Sequence, residues 1–116
     1  MLNHRVAVFI PSTINGNEPA PADLIARWVK SAKLKFAELF GGFTAHRAVG
    51  GWVSPAHGLI EEPVTVITAF TDDDGLDRLG EIEEFAATVA EALGQEAVAL
   101  EIDNSLQFVG ALAAAA

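Results

Sequence analysis

The chain has 116 residues, which fits one compact domain and leaves no room for two, so residues 1–116 are read as a single unit. Hydrophobic residues make up 51% and charged residues 20%, enough apolar material for a core and too much for a disordered chain. Seven Lys and Arg against sixteen Asp and Glu give a formal net charge of -9, which argues against direct binding to nucleic acid or an anionic membrane; the absence of cysteine excludes disulfides, thiol nucleophiles and thiolate-bound metals.

Residues 6–10 (Val-Ala-Val-Phe-Ile) are β-branched and aromatic and end at Pro11, which predicts a first strand. The run is too short for a signal-peptide core or a membrane span. The alanine-rich residues 110–116 lack the polar spacer of a lipid-anchor signal, so a cytoplasmic location is expected. Residues 12–21, with two Asn, one Gly and two Pro, read as a loop. Ile25, Trp28, Val29, Ala32, Phe36, Leu39 and Phe40 then recur at spacings of three and four, a helix stopped by Gly41-Gly42.

Residues 43–53 form the second strand candidate, where Gly50-Gly51 suggests a bulge or a close backbone approach. Residues 54–63 read as a turn region, and residues 64–70 are the clearest strand of the chain. Thr71 or one of the following Asp residues is placed to cap a second helix, whose stripe is Leu79, Ile82, Phe85, Ala86, Val89 and Leu93, with Gly94 as its stop. Residues 97–102 make the last strand; Asn104 turns the chain, and residues 106–109 can add a short extension.

The order strand, helix, strand, strand, helix, strand predicts an α+β fold of the ferredoxin-like βαββαβ type. Its sheet would have four antiparallel strands in the order 4-1-3-2, with two helices on one face. That topology delivers Ser12, Thr13 and Asn15, then Trp52, Ser54 and His57, then Glu61 and Glu62, and finally Glu96 to one end of the sheet. An indole, an imidazole, hydroxyls and carboxylates there suit a small polar molecule with a planar part, and Ser12, Asn15, Trp52, His57 and Glu62 are the candidate ligand-binding residues. The bland alternative is a set of polar hairpin loops facing water.

For catalysis the candidates are His57, His46 and Glu62, as a base with an assisting carboxylate. The three histidines show no metal-ligand spacing and the glycines form no phosphate loop, so no metal and no cofactor is expected. Strand alternation assigns Ala7, Phe9, Ile67, Ala69, Ala97 and Ala99 to the sheet face without helices. So apolar a face predicts a homo-oligomer, unless residues 106–112 fold back over it.

Charge is segregated as well. Arg27, Lys30, Lys33 and Lys35 lie on the first helix; Asp72, Asp73, Asp74, Asp77, Glu81, Glu83, Glu84 and Glu91 lie in or before the second. These are either two solvated faces that attract each other or an acidic surface that imitates nucleic acid.

The series Ile10-Pro11-Ser12-Thr13, Leu39-Phe40-Gly41-Gly42, Gly50-Gly51-Trp52, Gly58-Leu59 and Glu61-Glu62-Pro63-Val64-Thr65 resembles that of a group of small bacterial ferredoxin-like proteins of no established activity. The resemblance implies a fold and carries over no catalytic residue. The expected function is a small cytoplasmic ligand-binding or regulatory module that associates with itself through its open sheet face. The alternatives are a cofactor-free enzyme of the dimeric α+β barrel type with a His/Glu acid–base pair, and an acidic inhibitor of a nucleic-acid-binding protein.

Overall fold

In the computed structural model, which describes residues 1–111, the N-terminal β-branched run forms β1 (His4–Pro11), the central strand of a sheet. A small two-stranded ladder follows, β2 (Thr13–Ile14) with β3 (Glu18–Pro19), then α1 (Ala22–Phe40). β4 (Thr44–Ser54) and β5 (Gly58–Thr71) make a long hairpin, and α2 (Asp73–Leu76) and α3 (Leu79–Ala92) lead to β6 (Ala97–Ile102) and β7 (Ser105–Gly110). The main sheet is antiparallel throughout, in the order β4-β5-β1-β6-β7.

This corrects the expected four-stranded ferredoxin-like sheet of order 4-1-3-2 with two helices. Among the described residues the sheet has five strands, a separate two-stranded ladder stands beside it, and there are three helices. The fifth strand exists because the chain reverses at Asp103, whose φ is 55°, and residues 105–110 resume an alternating pattern that pairs with β6 from Ile102↔Ser105 to Ala97↔Gly110. Residues 106–109 therefore extend the sheet sideways and do not fold over its face; Leu112, the end of that expected segment, lies outside the described residues.

The core lies between the sheet and the helices. Val6, Val8 and Ile10 of β1, Ile67 and Ala69 of β5, and Val98 and Leu100 of β6 meet Ala32 and Phe36 of α1 and Ile82, Ala86, Val89 and Ala90 of α3. Between the helices, Trp28 and Phe85 pack edge to face with centroids 6.2 Å apart. Among the described residues no ion pair joins α1 to α3.

The phase of β5 is the second correction. Ile67 stands opposite Val8 and Ala69 opposite Val6, and directly opposed residues share a face. Ile67 and Ala69 therefore belong to the core, with Ile67 fully buried. The helix-free face carries Ala7 and Phe9 of β1, Val66, Thr68 and Phe70 of β5, and Ala97 and Ala99 of β6, continued by Leu106 and Phe108 of β7. No described helix is long and apolar enough to cross a membrane.

Beyond Pro11↔Val64, where β1 ends, β4 and β5 run on as a two-stranded arm through six further pairs, from Val49↔Pro63 to Ser54↔Gly58. Gly50 and Gly51 sit in regular register opposite Glu62 and Glu61, so they mark no bulge. The molecule is accordingly elongated, 45 Å by 28 Å by 27 Å.

Candidate functional site

Where β1 ends, the arm rises on one side and the C-terminus of α3 on the other. α3 closes in a Schellman arrangement: Gly94 takes φ 62°, Gln95 N–H donates to Ala90 O at 2.8 Å, and Gly94 N–H donates to Glu91 O at 3.2 Å. The turn before β3 packs directly onto this cap, with Asn15 N–H donating to Leu93 O at 2.9 Å. A Cβ on Gly94, whose φ is positive, would stand 3.2 Å from the Asn15 backbone nitrogen and 3.3 Å from its Cα, so the close approach favours glycine.

The cap also aims the Gln95 side chain. Its Nε2 donates to the carbonyl and to the hydroxyl oxygen of Thr13, both at 2.9 Å. The Thr13 hydroxyl in turn donates to Glu62 Oε2 at 2.8 Å. A half-buried chain Gln95–Thr13–Glu62 thus ties α3, β2 and β5 together and fixes one oxygen of the Glu62 carboxylate.

Glu62 borders a cleft of about 780 Å³ that crosses the helix-free face from β4 to β7. Such a volume lies in the range of roughly 300–1,000 Å³ usual for small-molecule sites. Its walls are Trp52 and Gly50 on the arm, Asn15 and Gly16 on the turn, Gln95 and Glu96 after α3, and Leu106 and Phe108 on β7, over a floor that includes Phe9, Val64 and Ala99. Gly50 lies on the cleft side of β4, where the absence of a side chain leaves the space beside Trp52 open. Trp52 is 42% exposed and stands outside the core, its ring available to a ligand.

Of the sequence candidates, Asn15, Trp52 and Glu62 line this cleft. Ser12 does not; its carbonyl accepts from Ala20 N–H at 3.1 Å and closes the small hairpin. His57 sits at the tip of the arm, its backbone N–H held by Ser54 Oγ at 3.3 Å, beyond the cleft wall. His46 is exposed on the edge strand β4, away from the cleft. The expected histidine and carboxylate are therefore not brought together, because Glu62 faces the cleft just beyond the end of β1 while His46 and His57 stand outside its wall. Among the described residues no group of three or more His, Asp or Glu is placed to hold a metal ion.

The sequence reading missed Gln95, Phe9, Leu106 and Phe108. Gln95 had one legible signal, its place directly after the glycine that stops a helix. Leu106 and Phe108 needed the fifth strand before they could be placed at all.

No family model and no curated protein matches the chain. Its fold recurs among solved structures, where eight chains match. A phage SAM lyase in complex with S-methyl-5'-thioadenosine aligns over 93% of this chain and 89% of that one, with TM-score 0.64 and 13% identity. The phage SAM lyase in its apo state aligns over 94% and 90%, with TM-score 0.59 and 17% identity. At these identities the likeness is one of fold.

Proposed function

We propose that this protein binds an adenosyl sulfonium or its thioether in the cleft between Trp52 and Phe108, and that it acts on the sulfonium as a lyase. The observation that carries this reading is the cleft itself, an aromatic and aliphatic trough with a positioned carboxylate, Glu62, in its wall. Trp52 offers a face for a purine and for the electron-poor methyl groups around a positive sulfur. Glu62 and Glu96 offer the negative charge. The likeness in fold to a phage SAM lyase names a ligand of this chemistry.

The reaction asks little of a protein. The carbon–sulfur bond breaks, its electron pair stays on sulfur, and the sulfonium leaves as a neutral thioether without needing a proton. A carboxylate oxygen of the same amino-acid fragment forms the new bond to that carbon and closes a lactone, so no water is consumed and no proton need move. A largely apolar cleft without a histidine fits such a step, because loss of charge from sulfur is easier away from bulk water. The same geometry supports the ligand-binding half of the reading if turnover is absent. A cleft this size is not what a flat, acidic imitator of nucleic acid needs.

The test is incubation with S-adenosylmethionine and chromatography for S-methyl-5'-thioadenosine, alongside thermal shift with the thioether. Product formation, lost in Glu62→Gln and in Trp52→Leu while both stay folded, is expected. A thermal shift without product reduces the protein to a binding module. The absence of both product and thermal shift overturns the reading.

A further inference from the structure

Gly50 is a glycine that the fold does not ask for. The positive-φ glycines of the chain are Gly16, Gly41, Gly58 and Gly94, so no turn or helix cap requires one at position 50. Its register opposite Glu62 is regular, so no bulge requires it either. Nor does crowding: a Cβ there would meet nothing nearer than Val64 Cγ1 at 3.6 Å, an ordinary contact. The neighbouring Gly51 differs, because its Cβ would stand 3.4 Å from the Ile60 carbonyl oxygen. A glycine inside a strand costs backbone entropy and brings no side chain to pack. That cost falls on a two-stranded arm, beyond the end of β1, where each residue's preference for strand counts most.

What the missing side chain does is leave bare backbone inside the cleft. Gly50 and Trp52 are two residues apart on β4, so they share a face, and both line the cleft. Same-face positions on a strand stand about 7 Å apart, and their side chains rise nearly perpendicular to the sheet. With nothing at position 50, a slot opens beside the indole with room for one flat ring stacked against it. Glu62, directly opposite Gly50 and held by the Thr13 hydroxyl, bounds this slot across the ladder.

We infer that Gly50 is a specificity-determining residue: the planar base of the ligand stacks on Trp52 with its edge against the Gly50 backbone, and the cleft selects a flat ring because position 50 is bare. This rests on the proposed function and assigns one end of its ligand, the base in the slot on β4 and the sulfur in the remainder of the cleft. It also accounts for a glycine where a β-branched residue would make a better strand. The arm gives up stability at position 50 and gains a place where a ring can approach the main chain. Any side chain there therefore acts in opposite directions on folding and on binding.

The experiment is titration calorimetry of the wild-type chain, Gly50→Ala and Gly50→Val with S-methyl-5'-thioadenosine, with melting temperatures taken without ligand. Both variants are expected to melt at or above the wild-type temperature, Gly50→Ala by up to about 5 °C. Affinity is expected to fall about 10-fold in Gly50→Ala and about 200-fold in Gly50→Val, the range that misplaced methyl groups command in a fitted site. In the wild-type chain saturated with ligand, nuclear Overhauser contacts are expected between the purine ring protons and the Gly50 Hα protons. Should Gly50→Val unfold, Gly50→Ala and these contacts decide. Wild-type affinity in both folded variants, or contacts from Gly50 to the S-methyl group in place of the purine, overturns the slot and leaves the proposed function standing. A loss of affinity matched by a fall in melting temperature also overturns it, since Gly50 then serves the fold. A wild-type chain that binds no S-methyl-5'-thioadenosine overturns the proposed function, and the slot with it.

Discussion

Thr13 and Glu62 meet across 49 residues of sequence through a hydrogen bond of 2.8 Å from Oγ1 to Oε2. The same hydroxyl accepts from Gln95 Nε2 at 2.9 Å, so one threonine couples the cap of α3 to the carboxylate in the cleft wall. Thr13→Val keeps the shape and removes both bonds. It should cost about 1–2 kcal/mol of stability, measured by denaturant titration. Thermal shift with S-methyl-5'-thioadenosine should weaken more than this loss accounts for, because Glu62 is then free to turn. Thr13→Ser, which keeps the hydroxyl, should restore the shift.

Ile67 tests the phase of the sheet. It is fully buried opposite Val8, so Ile67→Asp puts a carboxylate into the core and should cost more than about 4 kcal/mol, leaving no cooperative unfolding transition. Phe70 is 52% exposed on the other face, and Phe70→Asp should change stability by under about 1 kcal/mol. A folded Ile67→Asp protein would mean that the register of β5 against β1 is shifted by one.

That register shows where reading the sequence stopped short. The helices α1 and α3 and the strands β1 and β6 are legible from periodicity, since their apolar residues recur at the spacing of one buried face. β5 is not: Val64, Val66 and Thr68 look as suitable for a core as Thr65, Ile67 and Ala69, and only the pairing Val8↔Ile67 decides. The cleft was half legible for a related reason. Trp52, Asn15 and Glu62 come from topology alone, whereas Leu106 and Phe108 depend on a fifth strand whose sequence also reads as a tail. His57 misled because the turn was drawn too long: residues 58–63 are strand, which carries the histidine to the end of an arm.

Thr68 is an exception within the sheet. Its hydroxyl oxygen is buried and has no hydrogen-bond partner, on a side chain whose residue is 4% exposed. Thr68→Val exchanges that hydroxyl for a methyl group of the same shape. It should raise stability by about 1 kcal/mol in urea, with an unchanged slope of the transition. A loss of similar size would show that the hydroxyl is satisfied by solvent in the native state.

His4 links three segments and makes stability depend on pH. Its Nε2 lies 2.6 Å from Asp73 Oδ1 at the start of α2, and its Nδ1 lies 3.1 Å from Asp103 Oδ2 in the turn between β6 and β7. The bond to Asp73 and then that to Asp103 raise the His4 pKa above its ordinary 6.5, since both favour the imidazolium. Asp103 is lowered below 3.8, first by the Arg5 backbone N–H at 2.9 Å and then by His4. A raised histidine pKa stabilises the fold fully below the unfolded value and loses that contribution as pH rises through the folded one. A lowered aspartate pKa does so above 3.8 and loses it as pH falls through its own folded value. The clamp is therefore whole from about pH 4 to 6.5 and opens on the alkaline side as His4 loses its proton. His4→Gln should lower the melting temperature at pH 5.5, and the gap to the wild-type chain should narrow steadily toward pH 9. A gap that is constant across that range would show that His4 acts by packing and not by charge.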